Sequence, residues 1–243
     1  MSGSTFVGLP GSGYLDGIAV YHYEWLPALI LVFFAIFMLP RYLKARVYTA
    51  PQFLEKRFGP ASKKVFSGFL LLANIFIDAA AALYAGAMVF GVLFPGVPLW
   101  LVVLLTSLVA GVYIVFGGLD AVVLNDTVQA VLILLGGSLI AWLAFQEIPS
   151  WEAVKAAADP DALHLMRPVD DPNLPWPGVF TGVLIVGIYF WCTNQFVIQR
   201  ALGARSLDHG RWGALLAGAL KLPNLFILIL PGVMAVVLYP GLD

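Results

Sequence analysis

Charge is scarce in this chain. Its 13 Lys+Arg and 14 Asp+Glu amount to 11% of 243 residues, where ordinary soluble domains carry about a quarter. The signs nearly cancel, giving a formal net charge of -1, so no basic surface for nucleic acid is implied. Cysteine is nearly absent: Cys192 stands alone, which excludes an internal disulfide and says nothing of redox compartment. The three histidines, His22, His164 and His209, are far apart. No metal-ligand spacing, H-E-x-x-H helix or G-x-S-x-G elbow is present, so an enzyme has no motif to stand on. The opening MSGSTFVGLPGSGYL has no basic segment and is too glycine-rich for the apolar core of a cleavable signal. Low-complexity tracts and polar linkers are missing too, and residues 1–243 read as a single membrane domain.

Apolar sequence is what the chain has in abundance. It is 61% hydrophobic and 14% aromatic, with a mean hydropathy of +0.92. About 20 apolar residues cross the hydrocarbon core as a helix. Charge-poor runs place spans near 18–40, 65–94, 98–117, 121–146, 176–199 and 212–238, with Pro95, Gly96 and Pro98 dividing the second from the third. The segments are too long, and too rich in Leu, Ala and Gly, for barrel strands, and strict two-residue alternation is lacking. The expectation is an all-α integral membrane protein with six full transmembrane helices and a partial one at the start.

Alternation of these spans puts 41–64 and 200–211 on one side and 149–175 on the other. The first side carries Arg41, Lys44, Arg46, Lys56, Arg57, Lys63, Lys64, Arg200, Arg205 and Arg211; the second carries only Lys155 and Arg167. Positive charge marks the cytoplasmic side, so 41–64 and 200–211 are expected there, in a plasma or inner membrane. The acidic, Pro-rich 149–175 loop is expected outside, with Trp151 and Trp176 as interfacial anchors.

Ionisable groups within spans are costly and point to function. Lys221 lies ~14 Å along its span from the basic side, and Asp78 ~20 Å along its own, at the helical rise per residue. Glu24 falls in the outer third and Asp126 near the basic end. Structural alternatives stand beside each. Asp78 and Lys221, at similar depth, are a candidate ion pair; Asp126 suits a helix start; Glu24 could snorkel outward, whereas the stem of Lys221 falls short of the interface. The opening segment (Ser2, Gly3, Ser4, Thr5, Gly8, Pro10, Gly11, Ser12, Gly13) reads as a poor helix with apolar residues interleaved. Irregular backbone in a membrane lines cavities, and broken helices build the midplane sites of secondary transporters.

The stretches SGSTFVGLPGSGYLDGIAVYHYEW, LPRYLKARVYTAPQFLEKRFG, VFGGLDAVVLNDTVQ, IYFWCTNQFVIQRALGARS and LKLPNLFILILPG resemble, in order, segments of the solute:sodium symporter family. The resemblance implies part of a ten-helix core with a five-plus-five inverted repeat, from the unwound middle of the first core helix to the seventh. It also implies roles. Glu24 resembles the carboxylate that accepts hydrogen bonds from sugar hydroxyls, and Lys221 the sugar-contacting lysine. Thr5 falls where sugar carriers have Gln or His, Phe190 where they have a gate-closing Tyr, and Gly187 where one has a supporting Asn. Trp191 offers a further aromatic face. Asp126 resembles the acid on the cytoplasmic sodium exit path, and Met1 a position whose carbonyl helps bind sodium. Hydroxyl ligands from the eighth core helix complete that sodium site in the family, so the site is incomplete within this fragment.

The activity so implied is sodium-coupled symport of a small polar solute, a sugar or polyol, by alternating access. Sodium is then the coupling ion, with no other cofactor, and the partners are the solute, sodium and the lipid bilayer. The alternatives are a symporter for another solute (amino acid, nucleoside or carboxylate) and a transporter-like sensor module.

Overall fold

The computed structural model describes residues 3–242. Helix α1 (Gly3–Asp16) is regular despite Pro10 inside it, which corrects the expectation of irregular backbone there. The glycines serve packing instead. A Cβ on Gly13 would sit 2.5 Å from the Ile229 carbonyl oxygen, and one on Gly232 would sit 2.0 Å from that of Pro10. Small residues let helix backbones approach this closely, the usual basis of helix association in lipid. The break falls where α1 ends: Gly17 has φ +70, and a Cβ there would meet the Ala162 carbonyl oxygen at 2.1 Å. A 3-10 turn (Gly17–Tyr21) follows.

Helix α2 (His22–Phe33) continues through a π-helical turn, Phe34–Met38, into α3 (Leu39–Ala45). A short amphipathic helix, α4 (Ala50–Phe58), leads to α5 (Pro60–Ala73), which passes through the π turn Asn74–Ala79 into α6 (Ala80–Leu93). The next helix, α7 (Leu99–Glu147), has 49 residues, about 73 Å if straight and more than twice the hydrocarbon thickness of about 30 Å. It doubles back at Gly118, whose φ 57 and ψ -148 are not helical. Asn125 Nδ2 accordingly reaches Tyr113 Oη at 3.4 Å, whereas twelve residues of straight helix would span about 18 Å.

After α8 (Trp151–Ala157) the chain is irregular to Pro175. Then come α9 (Trp176–Gly178), a π turn Val179–Val183, α10 (Leu184–Cys192), and α11 (Gln195–Leu202) at a 43° bend. Helix α12 (Leu207–Lys221), a π turn Leu225–Ile229 and α13 (Leu230–Leu238) close the sequence of elements. Among the described residues there is no strand, only an isolated bridge between Arg167 and Pro175.

Among the described residues, four continuous helical runs are long and apolar enough to cross a membrane, and the bent pair makes a fifth. The six full spans expected differ from this because the 49-residue run holds two of them, folded about Gly118. In the runs Pro60–Leu93 and Leu99–Glu147 only 6% of the most apolar window is buried inside the chain, so their apolar side chains face outward from it. The protein is an integral membrane protein.

The core forms where α2–α3 runs antiparallel to α12. Gly218 packs on Ala28, Arg211 Nε donates to the Ala35 carbonyl, and Gly210 faces Leu39. Ile30, Leu31, Phe34, Leu39 and Tyr42 close this seam with Cys192 and Ile198. Contacts also sort the ends of the helices. Arg200 meets Asp126, Gly203 meets Leu119 and Gln195 meets the Ala50 N–H, while Ile18 and His22 meet Ala162 and Leu165. The two basic segments therefore share one end, as alternating spans require.

Gly17 is the most exacting of these positions. Gly17→Ala is expected to cost at least about 1–2 kcal/mol from its left-handed backbone alone, and more from the clash. Thermal unfolding in detergent should show this as a midpoint several degrees lower, against no loss for Gly86→Ala, where nothing lies within 4 Å of the added carbon.

Candidate functional site

Pro223 creates the site. Lacking an N–H, it cannot continue α12, so that helix stops at Lys221 and the chain resumes at Asn224. The Leu222 carbonyl, whose helical donor Phe226 N–H turns to the Pro223 carbonyl instead, accepts from the Tyr21 hydroxyl at 3.0 Å. Lys221 is thereby held at a helix C-terminus, and Glu24 lies in the first turn of α2. Both charges face the helix pole that favours them. They meet at 2.7 Å, with side chains only 12% and 5% exposed.

Further contacts satisfy the pair. Asn224 Nδ2 donates to the same Glu24 oxygen at 2.6 Å, and the Lys221 ammonium sits 5.0 Å from the Trp191 ring centre, within cation–π range. Asn224 itself is fully buried, and its Oδ1 has no partner among the described residues. That acceptor and the unused donors of Lys221 are capacity for a polar solute or water.

His22 braces the same turn. Trp25 Nε1 donates to His22 Nδ1 at 2.8 Å, and His22 Nε2 lies 2.8 Å from the Leu165 carbonyl. An indole N–H only donates and a carbonyl only accepts, which fixes a neutral imidazole with its proton on Nε2.

Beside Glu24 opens a cavity of about 580 Å³. Thr5, Gly8, Leu9, Ser12 and Asp16 line one face of α1, with Val20, Tyr23 and Glu24 beyond the turn and Pro172, Asn173 and Leu174 as a roof. The roof is anchored. Arg167 pairs with Asp171 at 3.1 Å and donates to the Asp16 carbonyl oxygen, and Asn173 Nδ2 donates to Asp16 Oδ1 at 2.8 Å. The Leu174 N–H, opposed by partial desolvation and aided by the Asn173 N–H and Arg167, holds the Asp171 carboxyl below its ordinary pKa.

The candidate residues separate into groups. Thr5 and Glu24 share the cavity; Lys221 and Trp191 stand behind Glu24. Phe190 lies edge-on to Trp191, with ring centres 5.1 Å apart. Gly187 faces α2, where an added Cβ would come within 2.5 Å of Ile30 Cδ1. Neither Phe190 nor Gly187 lines the cavity. Asp126 is gripped by Arg200 at 2.6 and 2.7 Å. The Asp78–Lys221 pair is not formed: Lys221 goes to Glu24, while Asp78 is exposed on the π turn of the α5–α6 run. Met1 lies outside the described residues. Among those described, no group of three His, Cys, Asp or Glu could hold a metal ion.

Sequence reasoning passed over Asn224, Asp16 and Asn173. Asn224 was the findable one: a lone amide one turn beyond Lys221, inside the apolar run LPNLFILIL. Asp16 and Asn173 meet across 157 residues of chain, a pairing with no local signature.

Two outcomes follow from this geometry. Lys221→Met strands a buried carboxylate and should cost about 3–5 kcal/mol; adding Glu24→Gln should recover most of it, read by thermal unfolding of the single and double variants. For Asp171, the lowered folded pKa makes its contribution full above the ordinary carboxylate value of about 3.9 and lost as pH falls further. The midpoint difference between wild type and Asp171→Asn should therefore hold from neutral pH to about 5 and shrink below about 4.

The comparisons with known proteins agree with this architecture. The family model described as sodium:solute symporter family matches residues 1–241. Sodium/glucose cotransporter 1 of Sus scrofa is 33% identical over 96% of this chain and 39% of its own length. The sodium/glucose cotransporter of Vibrio parahaemolyticus is 34% identical over 98% of this chain and 46% of its own length. The solved structure of a Na+-coupled sialic acid symporter, substrate-bound and outward-open, superposes with a TM-score of 0.86 at 21% identity, covering all of this chain and 53% of that one. The chain thus spans less than half the length of these curated relatives. Its matched extent and identity are nevertheless decisive: this chain belongs to the sodium:solute symporter family, a family of transporters.

Proposed function

We propose that this chain supplies the solute-binding part of a sodium-coupled symporter for a small polar solute, a sugar or polyol. One observation carries the reading: Glu24 lines a polar cavity, and a buried base and amide, Lys221 and Asn224, bond to its carboxylate from behind. A polyol needs several converging donors and acceptors. Glu24 and the Thr5 hydroxyl face the cavity, and Lys221, Asn224 Oδ1 and the Trp191 ring stand behind Glu24 as the donors, acceptor and flat apolar face that a bound polyol would draw on. Membership of the family and the names of its relatives support sodium as the coupling ion, carried with the solute.

The same reading orients the chain. Segments 41–64 and 200–211 face the cytoplasm and 149–175 the outside of a plasma or inner membrane, with residues 1–243 acting as one membrane domain. Phe190 and Gly187 then belong to the inner gate beneath the solute. Asp126 lies on the sodium exit path, where release requires Arg200 to exchange its partner. Met1 contributes its carbonyl to the sodium site.

The test is uptake of radiolabelled hexoses and polyols into proteoliposomes holding the complete transporter that contains this chain. Uptake should require an inward sodium gradient. Lys221→Ala removes charged hydrogen bonds worth about 1.5–3 kcal/mol, so uptake should fall by roughly tenfold to a hundredfold. Equal uptake with potassium replacing sodium, or full uptake by Lys221→Ala, would overturn the proposal.

A further inference from the structure

The geometry points to Asp16 as a charge filter: held by Asn173 at the far end of the cavity from Thr5, it selects solutes with a hydroxyl or ammonium at that end against those with a carboxylate. This rests on the cavity being the solute site proposed above.

The argument begins with an electrostatic conflict. Asp16 is the last residue of α1, and a carboxylate at a helix C-terminus meets the negative pole of the helix. Among the described residues its carboxylate makes no ion pair: Oδ1 accepts from the neutral Asn173 amide, and the guanidinium of Arg167 goes to the Asp16 backbone oxygen while its charge is met by Asp171.

Charge around the cavity can be summed from its lining. Glu24 is cancelled by Lys221, and Arg167 by Asp171. Among the described residues no Lys or Arg lines the cavity, so Asp16 is left as the carboxylate there without a paired cation. The wall is net negative, and the helix pole adds to it with the same sign. A solute carboxylate entering there meets repulsion with no cation to receive it, whereas a hydroxyl or ammonium finds an acceptor.

Position makes Asp16 a reader of the solute rather than a bystander. Thr5, Ser12 and Asp16 are seven and four residues apart on one face of α1, spanning about 16 Å of helix. A hexose held beside Thr5 and Glu24 covers less than half of that length, so Asp16 acts on it across the cavity through its charge rather than by contact. Asn173 fixes the rotamer of Asp16 from the roof, which makes it a positioning residue.

The decisive measurement is equilibrium binding by calorimetry to the complete transporter in detergent, with glucose, glucosamine and glucuronate as probes. Wild type should bind glucuronate about fivefold to tenfold or more weakly than glucose, the size expected for like charges several ångströms apart in a partly screened site. Glucosamine should bind at least as well as glucose. Asp16→Asn, which keeps the shape and the bond to Asn173, should bring the glucuronate-to-glucose ratio towards one, and Asn173→Ala should move it part of the way. Glucuronate binding as well as glucose in wild type, or an unchanged ratio in Asp16→Asn, would overturn the inference. Binding needs no gradient, so this result stands apart from the sodium test. If no probe binds at all, the solute class is wrong and the filter falls with it.

Discussion

A buried carboxylate and a buried ammonium cannot be stranded, and this requirement organises the middle of the molecule. Each ion alone would cost several kcal/mol in a low-dielectric setting. Glu24 and Lys221 avoid that cost only because α2 and α12 run antiparallel in one register, with the Glu24 level of one helix against the Lys221 level of the other. The glycines of α12 keep that register tight. Sliding either helix by a turn would move the charges about 5.4 Å apart and break the contact. The ion pair thus fixes how the two helices sit as much as it builds a site.

Helix interruptions are the second constraint, and each has a chemical origin. Pro223 ends α12 beside the ion pair; Gly17 ends α1 where the loop backbone presses on it; Gly118 folds the longest run back on itself. In a bilayer every freed carbonyl needs a donor, and the Tyr21 hydroxyl meets that need at Leu222. The side chain that repairs one break belongs to the turn created by another. The two interruptions therefore support each other, and the cluster of Glu24, Lys221 and Asn224 lies between them.

Much of this was legible in the sequence. The apolar runs marked the spans, because lipid allows few ways to cross. The basic segments 41–64 and 200–211 were assigned to one side by alternation of the spans, with their shared positive charge as the check, and contacts such as Gln195 to Ala50 bring them to one end of the fold. Lys221 stood out as an ion in the wrong solvent. Its ion-pair partner was not legible from depth, which says nothing of which helix lies next to it: Asp78 matched Lys221 in depth, whereas Glu24, in the outer third, was brought to the same site only by the family resemblance. The helical state of Gly3–Asp16 was hidden for a related reason. Glycine propensity is a property of isolated chains, while here the missing side chains make room for Ile229 and allow the Pro10–Gly232 contact. Tertiary packing outweighs local preference.

The arrangement of joints bears on how such a site could open and close. π turns interrupt four of the runs, at Phe34–Met38, Asn74–Ala79, Val179–Val183 and Leu225–Ile229. A π turn leaves the ladder of backbone bonds locally out of step, which lowers the cost of bending there. The last of these begins directly after Asn224, so bending at it swings α13 while Lys221 stays with α12 and α2. Because α1 packs on α13 through Gly13 and Gly232, the same bend carries Thr5 and Asp16 with it. One half of the cavity wall then travels with α13 and the other half, Glu24 with Lys221, remains behind. The joint thus falls between the two halves of the cavity wall.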